Sequence, residues 1–155
     1  MSLERAARQR AETDRNGQAV AEFALVLIPF LFLLFGVFDL GRGVYQFNAV
    51  SEAAREIARV TIVHPYTTCC TLGSSSEAQA VIQTQKAVVP GLTDAGVTIV
   101  CVDLADTVKA ASSCRLSDFI RVTVHVEWSP ASPLLAFLGV KDISSVSRMQ
   151  LQWSP

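Results

Sequence analysis

The sequence predicts an α+β fold: a long N-terminal transmembrane helix that continues into a small domain with one further helix and a roughly three-stranded antiparallel sheet. Three observations carry that reading. An apolar run from Ala19 to Phe38 holds one charge, a helical stripe follows it directly, and alternating strands stand near the C-terminus. At 155 residues there is room for one ordinary domain plus an anchor. Half of the residues are hydrophobic, 17% are charged and the mean hydropathy is +0.36. Soluble domains are about a quarter charged, so the deficit reflects the apolar residues gathered before Phe38. A net charge of -1 provides no electrostatic footprint for nucleic acid, and no such partner is expected.

The run AVAEFALVLIPFLFLLFGVF rises about 1.5 Å per residue and so spans about 30 Å, the thickness of a bilayer's hydrocarbon core. Phe23 to Phe38 contains no ionisable side chain, unlike the core helix of a soluble protein. Pro29 removes one backbone hydrogen bond, and a local bend is expected there. Gly36, Gly41 and Gly43 read either as packing notches for another helix or as a flexible exit. Arg5, Arg8, Arg10 and Arg15 precede the run, whereas Arg42 is the first basic residue beyond it and is balanced by Asp39. The positive-inside rule then places the N-terminus in the cytoplasm and the C-terminal bulk outside. An ordinary cleaved secretory signal fits less well, because the apolar stretch is long for that role and no Ala-x-Ala follows it.

The organisation expected is a basic segment over 1–17, a transmembrane and extended helix over 18–63, and an extracytoplasmic α+β domain over 64–155. Past the membrane Phe47, Val50, Ala54 and Ile57 recur at helical spacing and predict a face that packs on the protein's own sheet or on a neighbour's helix. The β-branched run Val60 to Val63 and Pro65 mark the helix end. Ser74 and Glu77 have capping-box spacing and open a second helix with Ala78, Val81, Ile82 and Val88 on one face, stopped by Pro90-Gly91. Val97 to Val102 reads as a buried strand. In Phe119 to Trp128, Ile120, Val122, Val124, Val126 and Trp128 alternate with Arg121, Thr123, His125 and Glu127. Leu134 to Leu138 is an apolar connection with the look of a short helix. Ser147, Met149, Leu151 and Trp153 then alternate with polar residues in a final strand.

Cys69, Cys70, Cys101 and Cys114 form an even set on the outer side, as suits an oxidising periplasm. Four cysteines allow three pairings. Joining Cys101 to Cys114 closes a loop between two strands but leaves Cys69 and Cys70 a strained vicinal bridge; crossed pairing avoids the strain and is slightly preferred. Their spacing does not suit zinc, and His64 and His125 fit no ligand pattern, so no metal or cofactor is expected. His125 reads as a solvated strand residue rather than a base. Asp94, Asp103, Asp106 and Asp118 read as turn residues rather than an acid pair. No nucleophile elbow, phosphate loop or His-Glu-x-x-His is present in the sequence, and no catalytic residue is expected.

Glu22 is the informative charge. A carboxylate in an apolar helix is costly, which makes it a functional candidate; in the headgroup zone it would instead rest on the positive end of the helix dipole. Its context is Asn16-Gly17-Gln18-Ala19-Val20-Ala21-Glu22-Phe23. Glycine, four residues and then glutamate-aromatic at the head of an apolar helix resembles the prepilin peptidase site of type IVb pilins. More closely, Gly17 to Arg59 resembles the TadE-like family of the tight-adherence (Flp) pilus machinery. The proline within the span, the exit Asp39-Leu40-Gly41-Arg42 and the later Ala53-Ala54-Arg55 share that pattern, and the C-terminal strands match it more loosely. The resemblance implies a bacterial inner-membrane pseudopilin, cut between Gly17 and Gln18 by prepilin peptidase. It further implies that Glu22, beside Phe23, pairs with the N-terminal amine of a neighbouring subunit during assembly. The partners implied are the lipid bilayer, the peptidase, other pilus or pseudopilin subunits and secretion machinery. An unprocessed single-pass protein, whose periplasmic domain is an interaction module of an envelope complex, is the alternative reading. A secreted small-ligand binder is a third.

Overall fold

The computed structural model describes residues 2–66, 71–132 and 139–152, with side chains from Gly17 onward. Among the described residues, two α-helices and four strands follow in order, with short 3-10 turns at Asp94–Gly96 and Ala111–Ser113: α1 (Ser2–Thr61), α2 (Ser76–Val88), β1 (Val97–Val102), β2 (Val108–Lys109), β3 (Phe119–Trp128) and β4 (Lys141–Gln150). Helix α1 runs for 60 residues, about 90 Å, and passes through Pro29 without ending. It stops where the sequence turns β-branched: the Thr61 hydroxyl donates back to the Ile57 carbonyl, and Pro65 follows.

The sheet is antiparallel throughout, in the order β2-β1-β3-β4. The two-residue strand β2 makes it four-stranded rather than three-stranded. Central β3 pairs along its whole length with β4, from Phe119 opposite Gln150 to Trp128 opposite Lys141. Its alternation is the one the sequence predicts: Ile120, Val122, Val124 and Val126 are buried, while His125 and Glu127 are exposed. Strand β1 is buried only at its Cys101-Val102 end, where β2 pairs with it and the Cys101–Cys114 bond covers it; Val97 to Val100 pair with β3 alone among the described residues. Strand β4 begins earlier than expected, at Lys141, and turns Ser147 inward beside partly buried Met149 and Ile143. Leu134 to Leu138 and Trp153 lie outside the described residues.

The C-terminal part of α1 covers the inner face of this sheet. Val50, Ala53, Ala54, Ile57 and Ala58 are fully buried against Ile120, Val122 and Val124, with Ile82 of α2, Val89, Leu92 and Leu151 closing the core. Phe47 belongs to the expected stripe but is exposed. The small side chains of Ala53, Ala54 and Ala58 bring the helix close to the sheet there, and the buried face has rotated away from Phe47.

Helix α2 is capped by Ser75, one residue later than Ser74. The Ser75 Oγ accepts from the Ala78 amide at 3.1 Å and donates to the His64 carbonyl at 2.6 Å, so one hydroxyl starts α2 and ties it to the end of α1. Of the expected apolar face, Ala78 and Ile82 are buried and Val88 is exposed, its place taken by Val89. Gly73 is one position that requires glycine: its φ is +75°, and a Cβ there would lie 2.5 Å from Ile99 Cδ1.

Candidate functional site

Two stretches of α1 carry the functional candidates: its head at Gly17–Phe23 and its exit at Asp39–Phe47. At the head, Gly17, Gln18, Glu22 and Phe23 all stand in helix and are exposed. Residues four apart lie on one helical face, and the Gln18 Nε2 donates to Glu22 Oε1 at 3.0 Å. The backbone of residue 18 is thus one turn from the Glu22 carboxylate. Gly17 has no neighbour within 4 Å of its would-be Cβ, so packing does not explain the glycine. In a helix interior glycine costs about 1 kcal/mol relative to alanine, which makes the Gly17–Gln18 peptide a local weak point.

Between head and exit, the large apolar side chains face outward. Phe23, Val26, Phe30, Leu33 and Val37 are all exposed. Among the described residues α1 alone is long and apolar enough to cross a membrane, within Gly17–Thr61. A core helix of a soluble protein would bury these side chains; here none of them is buried by the described residues.

The exit is built around Asp39, which the sequence marks as a counterweight to Arg42 and as the first residue of the exit motif, without saying what it contacts. Its side chain is 1% exposed. Oδ1 accepts from the Ala131 amide at 2.9 Å, and Oδ2 accepts from the Ser132 amide at 3.2 Å and from the Ser132 hydroxyl at 2.6 Å. Arg42 Nη1 stands 3.7 Å away. Charge-assisted hydrogen bonds of this kind are the strong ones, and they fasten the loop after β3 to the helix one residue beyond the apolar run. Farther along, Gln46 donates to the Pro90 carbonyl at 2.9 Å, and Trp128 packs its ring 3.7 Å from the position of a Gly43 Cβ. The buried Trp128 Nε1–H has no hydrogen-bond partner among the described residues.

The cysteines divide differently from the preferred crossed arrangement. Cys101 is bonded to Cys114, which pins the segment bearing β2 to the end of β1. The crossed pairing is thereby overturned: Cys101 at the end of β1 and Cys114 before β3 stand 6.0 Å apart at Cα, well within disulfide reach. Cys69 and Cys70 lie outside the described residues. Asp118 sits beside this bond, and Lys109 donates to it at 2.7 Å, as does the Arg115 amide at 2.8 Å. The Lys109 bond, then the Arg115 amide, hold the Asp118 carboxyl below its ordinary value against the opposing effect of burial. With both sulfurs joined to each other, the cluster offers no thiolate to a metal.

An apolar, outward-facing helix ending in a domain clamped directly to its exit defines the class of single-helix membrane-anchored α+β proteins. Within that class, residues 17–59 match the family described as TadE-like protein. The match opens at Gly17 and takes in Glu22, Phe23, Pro29, Asp39 and Arg42. No curated protein matches the chain, and no solved structure does.

Proposed function

We propose that this chain is a TadE-like, membrane-anchored pseudopilin that takes part in assembling a tight-adherence pilus. The observation that carries the reading is the coincidence of two boundaries. The family match begins at Gly17, and the outward-facing apolar helix begins within a turn of it. In this reading the basic segment is cytoplasmic, prepilin peptidase cuts after Gly17 at the inner face of the bacterial inner membrane, and the mature chain starts at Gln18. The new ammonium then stands at the head of the apolar run, and the Glu22 it pairs with in this reading is that of a neighbouring subunit. A carboxylate at the edge of lipid and a free amine at a neighbouring chain's end each relieve the other's desolvation cost, so the pair favours assembly over the isolated subunit. The domain, carried outside the cytoplasm with its disulfide, presents surfaces to other subunits and to the secretion machinery.

Glu22→Ala tests the role of the acid. The proposal expects normal membrane insertion and loss of pilus assembly. Full assembly by the variant would support the alternative, in which α1 is a plain anchor for an interaction domain of an envelope complex.

A further inference from the structure

The exit of α1 carries more exposed apolar surface than an anchor ending at Phe38 accounts for. We propose that the outer boundary of the bilayer lies near Val44, and that phospholipid fills the groove beneath the Asp39-fastened corner of the domain. The inference rests on the membrane-anchor reading above and deepens it.

Length points to this boundary. If Glu22 stays among the headgroups, the run Phe23 to Phe38 supplies about 24 Å, short of the roughly 30 Å hydrocarbon core. Continuing to Val44 supplies about 33 Å. The intervening side chains suit the same boundary. Leu40 is 68% and Val44 61% exposed, as lipid-facing residues should be. Of the two charges in the interval, Asp39 is turned into the protein and covered by Ala131 and Ser132. Arg42, partly exposed, has a stem long enough to carry its guanidinium outward to the headgroups. A carboxylate given three hydrogen bonds and almost no exposure is one prepared for a poorly hydrating layer.

The apolar surface is also continuous with the span. A groove of about 600 Å³ is lined by Leu34, Phe35, Val37 and Phe38 on the helix and by Ala131 and Ser132 on the domain. Its helical wall belongs to the segment already surrounded by lipid, so acyl chains reach it without any opening of the fold. On the domain side the Ser132 hydroxyl is spent on Asp39. A second groove of about 340 Å³, with Leu40, Val44 and Trp128 in its lining, continues the surface outward. Tryptophan and tyrosine gather at the headgroup level of membrane proteins, and Trp128 and the exposed Tyr45 stand at this height.

The test uses the full chain with Trp153→Phe, so that Trp128 is the single tryptophan. It is reconstituted in vesicles of phosphatidylcholine and phosphatidylglycerol brominated either near the headgroup or near the chain end. The expected result is loss of Trp128 emission, greater with bromine near the headgroup. Adding Val44→Asp should restore emission while the protein still floats with the vesicles. Vesicle-bound protein whose Trp128 emission ignores both lipids overturns the proposal and leaves the anchor reading standing; a second copy seated on the groove would give that outcome. Protein that fails to float with vesicles overturns both.

Discussion

Replacing Ile57 with alanine tests whether the distal part of α1 is the core of the domain. Ile57 is fully buried among Val50, Ala54 and the inner residues of β3. The substitution removes three carbons, worth about 0.8 kcal/mol each by transfer, or roughly 2.4 kcal/mol. Incomplete collapse of the surrounding backbone adds a cavity contribution, which brings such changes into the range of about 2 to 5 kcal/mol. A helix fastened to the domain at Asp39 and Gln46 has little room to collapse, and the expected loss is about 3 kcal/mol. The assay is urea unfolding of the full chain in detergent micelles, followed by tryptophan fluorescence, with the midpoint lowered and the slope unchanged. Val88→Ala is the matched control, since the sequence pattern places Val88 in the core and the structure exposes it; its cost should stay below about 0.5 kcal/mol. Equal effects of the two substitutions would refute the packing described here.

Two further outcomes follow from the same contacts. Cys101→Ser with Cys114→Ser opens a loop closed across a sequence separation of 13 residues; the expected loss is about 3 kcal/mol, read as a lowered urea midpoint that matches wild-type protein under reductant. The Asp118 carboxyl titrates below its ordinary value of 3.8 in the folded protein. Its contribution is therefore complete above that value and is lost as the pH falls through the lower folded one. Urea midpoints measured from pH 6 downward should fall on the acid side, and Asp118→Asn should flatten that limb.

How much of this was legible in the sequence depends on the range of the interactions involved. The anchor is a local property of Phe23 to Phe38, and β3 is a local alternation, so both could be read from composition and period. The buried face of α1 could not be chosen as well. Phe47, Val50, Ala54 and Ile57 fit one stripe, yet the sheet selects Ala53 and Ala58 in place of Phe47, and alanine carries little hydrophobic signal. Three consecutive serines, Ser74 to Ser76, compete for the cap of α2, and the carbonyl of His64 decides in favour of Ser75. Strand β2 has two residues, too few for any period to show. The clamp at Asp39 joins residues 92 and 93 positions apart, and no local pattern announces it. A signal was present all the same: an acid directly after sixteen residues without a charge invites the question of what neutralises it.

On the proposal made above, α1 is a processed pilin-type anchor, with Gly17 as the boundary between what is removed and what stays. The most direct measurement is the intact mass of the protein purified from membranes of cells that make prepilin peptidase. A chain starting at Gln18 is the predicted result. A chain that still carries residues 1–17 under those conditions, with no shorter species, would contradict it.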